Sequence, residues 1–329
     1  YDETIDVTRK SLQIVGGGNS PLETTILCND RLHTVSAWRN DYKVKFQNLT
    51  FLKEDPEVDG SIRIDRTLVE FRECHFIGLG NRGGCHWGRG GRFSSGAMYL
   101  DRAEVGVIDC HFMANTAETT CDRLAMAGGG AIYASHTDLW VIRSTFMGNV
   151  VRAAATGGQP VNEDDYAEGG AISCFRGSLQ IQDSTFRENR AWNTGRQRQF
   201  GTAHGGAIHA WDSSPLLIEG TTFAGNHAQW DEESVRAGAT CSGGAVWIHA
   251  NGQVLAGNTF INNSSSQLAG AVYSSDNSVV TDSRFECNLP DHLDGWYREQ
   301  NNLFLECPPP CPADLDGNGT VDFSDYMLL

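Results

Sequence analysis

One recurring pattern limits the fold of this chain more than any other feature. Residues 168–189 read EGGAISCFRGSLQIQDSTFREN, and residues 204–226 read HGGAIHAWDSSPLLIEGTTFAGN. Each copy holds a Gly-Gly-Ala-apolar element, a Thr-Phe element some fifteen residues later, and an Asn three residues beyond that Phe. Aligned on the Thr-Phe element, the copies are anchored at Ile26, Phe51, Phe76, Phe112, Phe146, Phe186, Phe223, Phe260 and Phe285. The anchors lie 25, 25, 36, 34, 40, 37, 37 and 25 residues apart. Three gaps share one minimum and the rest exceed it by 9 to 15 residues, as a fixed unit with insertions at one place would.

Other positions keep phase with the anchor. Five residues before it stands an apolar side chain: Phe46, Phe71, Val107, Val141, Ile181, Ile218, Leu255 or Val280. About fifteen residues before it lies a small-small-apolar element, from Gly96-Ala97-Met98 to Gly270-Ala271-Val272. A 25-residue unit of short alternating runs bounded by Gly and Asn is too short for a propeller blade and lacks the helix of a leucine-rich repeat. It suits one coil of an all-β parallel β-helix with about three strands per coil. At ~4.8 Å per coil, about nine coils make a rod on the order of 45 Å long. Asn29, Asn115, Asn149, Asn189, Asn226, Asn263 and Asn288 share one phase, with Leu79 in place of Asn in the third coil. Their side chains are expected to bond to one another inside the rod, and their backbones to take the left-handed conformation of a tight turn. Three segments follow: a β-helix over 1–306, a Cys/Pro-rich linker over 307–313 and a calcium-loop segment over 314–329.

Composition narrows the partners. Of 329 residues 40% are hydrophobic, enough for a real core, and no run approaches the roughly 18 to 20 apolar residues that span a bilayer. A net charge of -16, with no Lys after Lys53, argues against nucleic acid and anionic membrane, which need clustered basic side chains. No membrane insertion is expected. The first residues, YDETIDVTRK, lack the apolar block of a signal peptide, so the chain reads as a mature, processed, extracellular or cell-surface protein.

The insertions all fall between the Asn and the next Gly-Gly-Ala, so they emerge along one edge and form a wall. They span 78–95, 116–128, 150–168, 190–204 and 227–242, and are rich in Trp, Arg and carboxylates. On the strand after the wall, alternation turns two side chains per coil outward: Arg63 and Asp65, Tyr99 and Asp101, Tyr133 and Ser135, Ser173 and Phe175, His209 and Trp211, Trp247 and His249, Tyr273 and Ser275. A row of flat rings suits the C–H faces of sugars, with Asp and His at hand for hydroxyls. The candidate ligand-binding residues are therefore Tyr99, Asp101, Tyr133, His209, Trp211, Trp247, His249 and Tyr273. The same rings, covered by the insertions, would instead be core.

The paired GGA[I/L/V] and FxxN elements resemble the repeats of the chlamydial polymorphic outer-membrane proteins and, more broadly, the right-handed parallel β-helix superfamily of pectate-lyase-like proteins, over residues 12–288. That scaffold carries adhesins, lyases and hydrolases alike. In the enzymes, the resemblance implies a groove on this outward strand, with β-elimination by an Arg or Lys base and often Ca²⁺, or hydrolysis by paired carboxylates. The matching groups here are Asp101, Glu168, Arg196, His204, Glu232 and His249, and they form no catalytic signature. The run Glu163-Asp164-Asp165 reads as a solvated loop, and His75 with His111 as an exposed stacked pair.

Ten cysteines point to disulfides. Cys74 and Cys110 occupy a slot held elsewhere by Ser144, Ser184, Thr221 and Ser283, so they read as small stacked residues. Cys85 and Cys121 are expected to be bridged, and Cys287, Cys307 and Cys311 to tie the tail to the rod. In the tail, Asp314, Asp316, Asn318, Thr320, Asp322 and Asp325 take positions 1, 3, 5, 7, 9 and 12 of a calcium loop, with Gly319 at the sharp turn. With Asp at its last position this loop resembles a type I dockerin loop, which implies bound Ca²⁺ and a cohesin-like partner. One such loop is present, where a dockerin has two.

Two functions fit. One is a secreted or cell-surface scaffold for adhesion or fibre assembly, with a glycan-binding face and self-association through the rod ends or the calcium tail. The other is a polysaccharide lyase or glycoside hydrolase working in the groove. The repeats by themselves require no catalyst, which favours the scaffold.

Overall fold

In the computed structural model the anchors lie on top of one another. A ten-stranded parallel sheet pairs Ile26 with Phe51, then Phe76, Phe112, Phe146, Phe186, Phe223, Phe260, Phe285 and finally Phe304. The structure describes residues 5–8, 12–18, 20–28, 35–55, 59–84, 94–121, 125–155, 165–194, 201–230, 240–250 and 252–307. The chain is a parallel β-helix, with one more rung in this sheet than nine coils provide. Phe304 follows Phe285 by only 19 residues, below the 25-residue minimum. The last turn is short in two places: Leu293, the partner of Val272, follows Phe285 by 8 residues where Val272 follows Phe260 by 12, and Gly295 to Tyr297 spans the stretch from Ser274 to Ser278 with two residues fewer.

One coil shows how the sequence makes the cross-section. Ile172–Phe175, Ser178–Gln182 and Thr185–Arg187 are its three strands. Left-handed residues turn the chain between and after them: Arg176 at φ 53°, Asp183 at φ 49° and Glu188 at φ 55°. The turn before the ladder Asn thus falls one residue earlier than the sequence implied. Glu188, Gly225 and Asn262 are left-handed, and the Asn that follows each is not. That Asn instead aims its amide along the rod, where Asn115, Asn149, Asn189, Asn226, Asn263 and Asn288 bond in series at 2.8–2.9 Å. Leu79 ends the series, its N–H donating to Oδ1 of Asn115 at 2.9 Å. Asn29 lies outside the described residues.

A second internal ladder fills the Cys/Ser/Thr slot. The N–H of Cys74 donates to Sγ of Cys110, Cys110 to Ser144, Ser144 to Ser184, Ser184 to Thr221, and onward through Asn258 and Ser283 to Asn302. Cys74 and Cys110 are free and buried, as expected of stacked small residues. Cys174 and Cys241 are also free and buried, and Cys28 is buried with its thiol donating to the carbonyl of Ile26. Cys287 is bonded to Cys307. Cys121 is disulfide-bonded too, while its expected partner Cys85 and the tail Cys311 lie outside the described residues.

Between the ladders the phenyl rings stack face to face, as Phe146 on Phe186 at 4.6 Å and Phe223 on Phe260 at 4.9 Å. Each is fully buried, and removing such a ring from water is worth about 1.5–3 kcal/mol. His75 and His111 are neighbours at 4.8 Å but meet edge to face, 72° apart, rather than stacked.

The insertions leave and rejoin the coil as strands. Thr116–Cys121, Val150–Ala155, Arg190–Asn193 and His227–Trp230 lie in one six-stranded parallel sheet. Met126–Gly128, Asp165–Glu168, Gly201–His204 and Thr240–Ser242 form a second, four-stranded one. Ala117, Cys121, Ala125, Ala127, Val151, Ala153 and Ala167 pack into a small core of their own there. The Gly-Gly pair is what lets the returning strand enter the coil. Gly169 sits at φ +66°, and a Cβ on Gly170 would come within 2.0 Å of the carbonyl oxygen of Gly206 on the next coil.

Candidate functional site

Register puts the outward residues into two columns along the main sheet. The inner column reads Arg63, Tyr99, Tyr133, Ser173, His209, Trp247 and Tyr273. The outer one reads Asp65, Asp101, Ser135, Phe175, Trp211 and His249. The alternation was legible, but the exposure differs from it, because the returning insertion strands lie over the inner column. Tyr133 is 8% exposed, His209 2% and Trp247 5%, whereas Trp211 in the outer column is 38% exposed. Tyr99, Asp101, His249 and Tyr273 are half-buried. The rings stabilise the sheet as well as facing outward: Tyr99 stacks on Tyr133 at 5.5 Å, and Trp247 stacks on both His204 at 4.8 Å and His209 at 4.6 Å, which are themselves 6.1 Å apart.

Where wall and sheet part, a cleft of about 450 Å³ opens. Tyr133, Phe175 and Trp211 come from the main sheet, and Met126 and Tyr166 from the returning strands. His209 and Glu168 supply its polar groups. Nδ1 of His209 stands 3.6 Å from Oε2 of Glu168. Neither ring nitrogen of His209 has a hydrogen-bond partner among the described residues, nor does Oγ of Ser173, the neighbour of His209 in register. Buried polar atoms without partners are uncommon and call for an explanation.

Burial also sets the protonation of the site. It pushes the Glu168 carboxyl up to about 8, and no Lys or Arg of the described lining opposes that shift. His204 is pushed down to about 4, and His209 well below its ordinary range by burial and then by His204 and His249. At neutral pH the cleft therefore holds a carboxylic acid beside the neutral imidazole of His209. Perturbed groups of this kind in an apolar cleft mark functional sites.

Of the eight residues read from sequence as ligand-binding, Tyr133, His209 and Trp211 line the cleft. Tyr99, Asp101, Trp247, His249 and Tyr273 stand above or below them in the same columns. His249 is engaged elsewhere, its Nδ1 at 2.6 Å from Oγ of Ser275 and 3.5 Å from Oδ2 of Asp276. Asp101 lies 3.6 Å from Nη1 of Arg102. Met126 and Tyr166 were missed. Their signal is the alternation in MAG, DYAE and GTAH before each Gly-Gly, which marks a strand rather than a loop. Among the described residues no three His, Cys, Asp or Glu side chains come together to hold a metal ion. Asp314, Asp316, Asn318, Thr320, Asp322 and Asp325 of the calcium loop lie outside the described residues, as do Arg196, Glu232 and the pair Glu163-Asp164.

No protein-family model matches this chain, and no curated protein matches it. Among solved structures it is similar to the GH136 lacto-N-biosidase from Eubacterium ramulus, with 11% identity and a TM-score of 0.31 over 92% of this chain and 60% of that one. It is also similar to the A-module of the Azotobacter vinelandii mannuronan C-5 epimerase AlgE4, with 11% identity and a TM-score of 0.24 over 94% of this chain and 89% of that one. At that identity and TM-score neither likeness bears on what this chain does.

Proposed function

We propose that this chain is a carbohydrate-binding β-helix, a secreted or cell-surface scaffold that holds a glycan in the cleft between its insertion wall and its main sheet. The observation that carries this reading is the lining itself, in which Tyr133, Tyr166, Phe175 and Trp211 surround partnerless polar atoms of His209. Aromatic faces take the C–H faces of a sugar, and unsatisfied polar atoms take its hydroxyls. A glycan array followed by titration calorimetry tests it. Trp211→Ala is expected to weaken the best ligand by roughly tenfold or more, as loss of an aromatic anchor does. An array without any bound glycan removes the reading.

One observation favours a second reading, that the chain also acts on its glycan as a lyase or hydrolase. A carboxyl raised to about 8 is a general acid near neutral pH, and Glu168 stands beside an imidazole without a partner. New reducing ends or unsaturated products, absent in Glu168→Gln, would support it.

The tail adds a proposal of its own. Asp314, Asp316, Asn318, Thr320, Asp322 and Asp325 bind one Ca²⁺ and serve attachment, either to a cohesin-like partner or between copies of the chain. Its support is the spacing of oxygen ligands around Gly319. Calcium titration should find a site in the full chain that Asp314→Ala abolishes, and an unchanged titration would remove the proposal.

A further inference from the structure

The cleft of about 450 Å³ is apolar on both of its walls. Tyr133, Phe175 and Trp211 line it from the main sheet, and Met126 with Tyr166 from the returning strands. Along Asp165–Glu168 burial alternates, so Tyr166 and Glu168 point to the same side, and both line the cleft. Met126 lies beside Tyr166 in register, and Gly128, which carries no side chain, lies beside Glu168. Glu168 keeps 14% of its side-chain surface and His209 only 2%, so of these two groups the carboxyl is the one a ligand meets.

A plain hexose suits such a place on its C–H faces only. Hydroxyls ring its rim, and a hydroxyl turned toward Met126 or Phe175 gives up water without a hydrogen bond in return. A sugar in which one hydroxyl is replaced by an acetylated amine is matched better. Its methyl group buries apolar surface against rings and a thioether. Its amide oxygen accepts a hydrogen bond, and a protonated carboxyl has one O–H to donate. Burial holds Glu168 in that form at neutral pH.

We propose that the cleft takes an uncharged acetamido sugar, with the methyl group among Met126, Tyr166 and the main-sheet rings and the amide on Glu168. This rests on the carbohydrate reading above and names the class of sugar. Charged sugars fit less well. No Lys or Arg is among the described lining residues, and Arg176, 4.9 Å from the centre of the Phe175 ring, is already paired with Asp212 at 3.3 Å. A uronate carboxylate placed in the cleft would lose its water without gaining a counter-charge.

Chitohexaose, cellohexaose and the hexamer of glucosamine test this on the full chain, because they share one backbone and differ at one position of each ring: acetamido, hydroxyl or amine. N-acetylgalactosamine against galactose and N-acetylmannosamine against mannose, immobilised at equal density, extend the comparison to other ring configurations. In at least one configuration the acetamido member is expected to bind about tenfold or more tighter than its hydroxyl partner. Glu168→Leu is expected to erase most of that ratio, and Glu168→Gln, which keeps an N–H donor, to preserve it, with melting temperatures checking both folds. If Glu168→Leu does not fold, the comparison on the unchanged chain decides alone. Hydroxyl or amine members that bind as tightly as their acetamido partners overturn the acetamido assignment and leave the carbohydrate reading intact. An array that holds only sugars without an acetamido group does the same, as does tighter binding of hexagalacturonate than of every acetamido probe. A ratio unchanged by Glu168→Leu overturns the place given to Glu168. An array without any bound glycan overturns this proposal together with the reading beneath it.

Discussion

Asn189 donates from Nδ2 to Oδ1 of Asn226 at 2.9 Å, and both residues are fully buried. Oδ1 of Asn189 accepts in turn from the backbone N–H and the side chain of Asn149, at 3.1 and 2.9 Å, while its Nδ2 also reaches the carbonyl of Phe146 at 3.0 Å. This amide thus joins three successive coils.

Asn189→Leu should therefore cost more than its change in size suggests. It leaves the backbone N–H of Asn149 buried without its acceptor, at about 1–3 kcal/mol, and takes one bond each from Nδ2 of Asn149, which keeps Phe112, from Oδ1 of Asn226, which keeps the N–H of residue 189, and from the carbonyl of Phe146. A loss of roughly 3 kcal/mol or more is expected in urea unfolding. Leu is tolerated at position 79 because there it stands at the end of the series and its N–H still has Asn115.

The ring stack should show a gradient from its middle to its end. Phe186→Ala removes a fully buried ring and is expected to cost about 3–5 kcal/mol. Phe304 is 42% exposed and, among the described residues, meets the rings of Phe285 and His292 alone, so Phe304→Ala should cost less than half as much. Melting curves of the two variants check the order, and equal losses would contradict it.

Stability should be greatest near neutral pH and fall on both sides, for two different reasons. Glu168 is raised from 4.5 to about 8 in the folded chain, so its protonated form favours folding, a contribution fully present below 4.5 and lost as pH rises through about 8. His204 is lowered from 6.5 to about 4 and His209 is lowered as well, so their contribution is present above 6.5 and lost as pH falls through about 4. Glu168→Gln is expected to flatten the alkaline side of a melting-temperature profile and leave its slope below about 4.5 unchanged.

Much of the fold was legible because a stacked rod repeats its own register. The phase of Phe186 and Phe223 gave strand pairing, ladder and ring stack together, since each is the same position on successive coils. Phe304 escaped because the last turn is six residues shorter than the 25-residue minimum, four of them lost before Leu293 and two at the irregularity opposite Ser274 to Ser278. At the cleft, alternation gave the column membership of Tyr133, His209 and Trp211 but could not give their exposure, which depends on strands from another part of the coil. Glu168 was named among six candidates without a partner. Only the fold shows that its strand returns over His209, so its raised carboxyl has no sequence signature.

The amides of the Asn series all donate toward the C-terminal side, from Asn115 to Asn288. Any coil copied in tandem and spliced into that run would meet an acceptor ahead of it and a donor behind it, with nothing orphaned at the seam. Coil number can then drift through duplication while the geometry of each coil stays fixed, and variation in function is left to the arms.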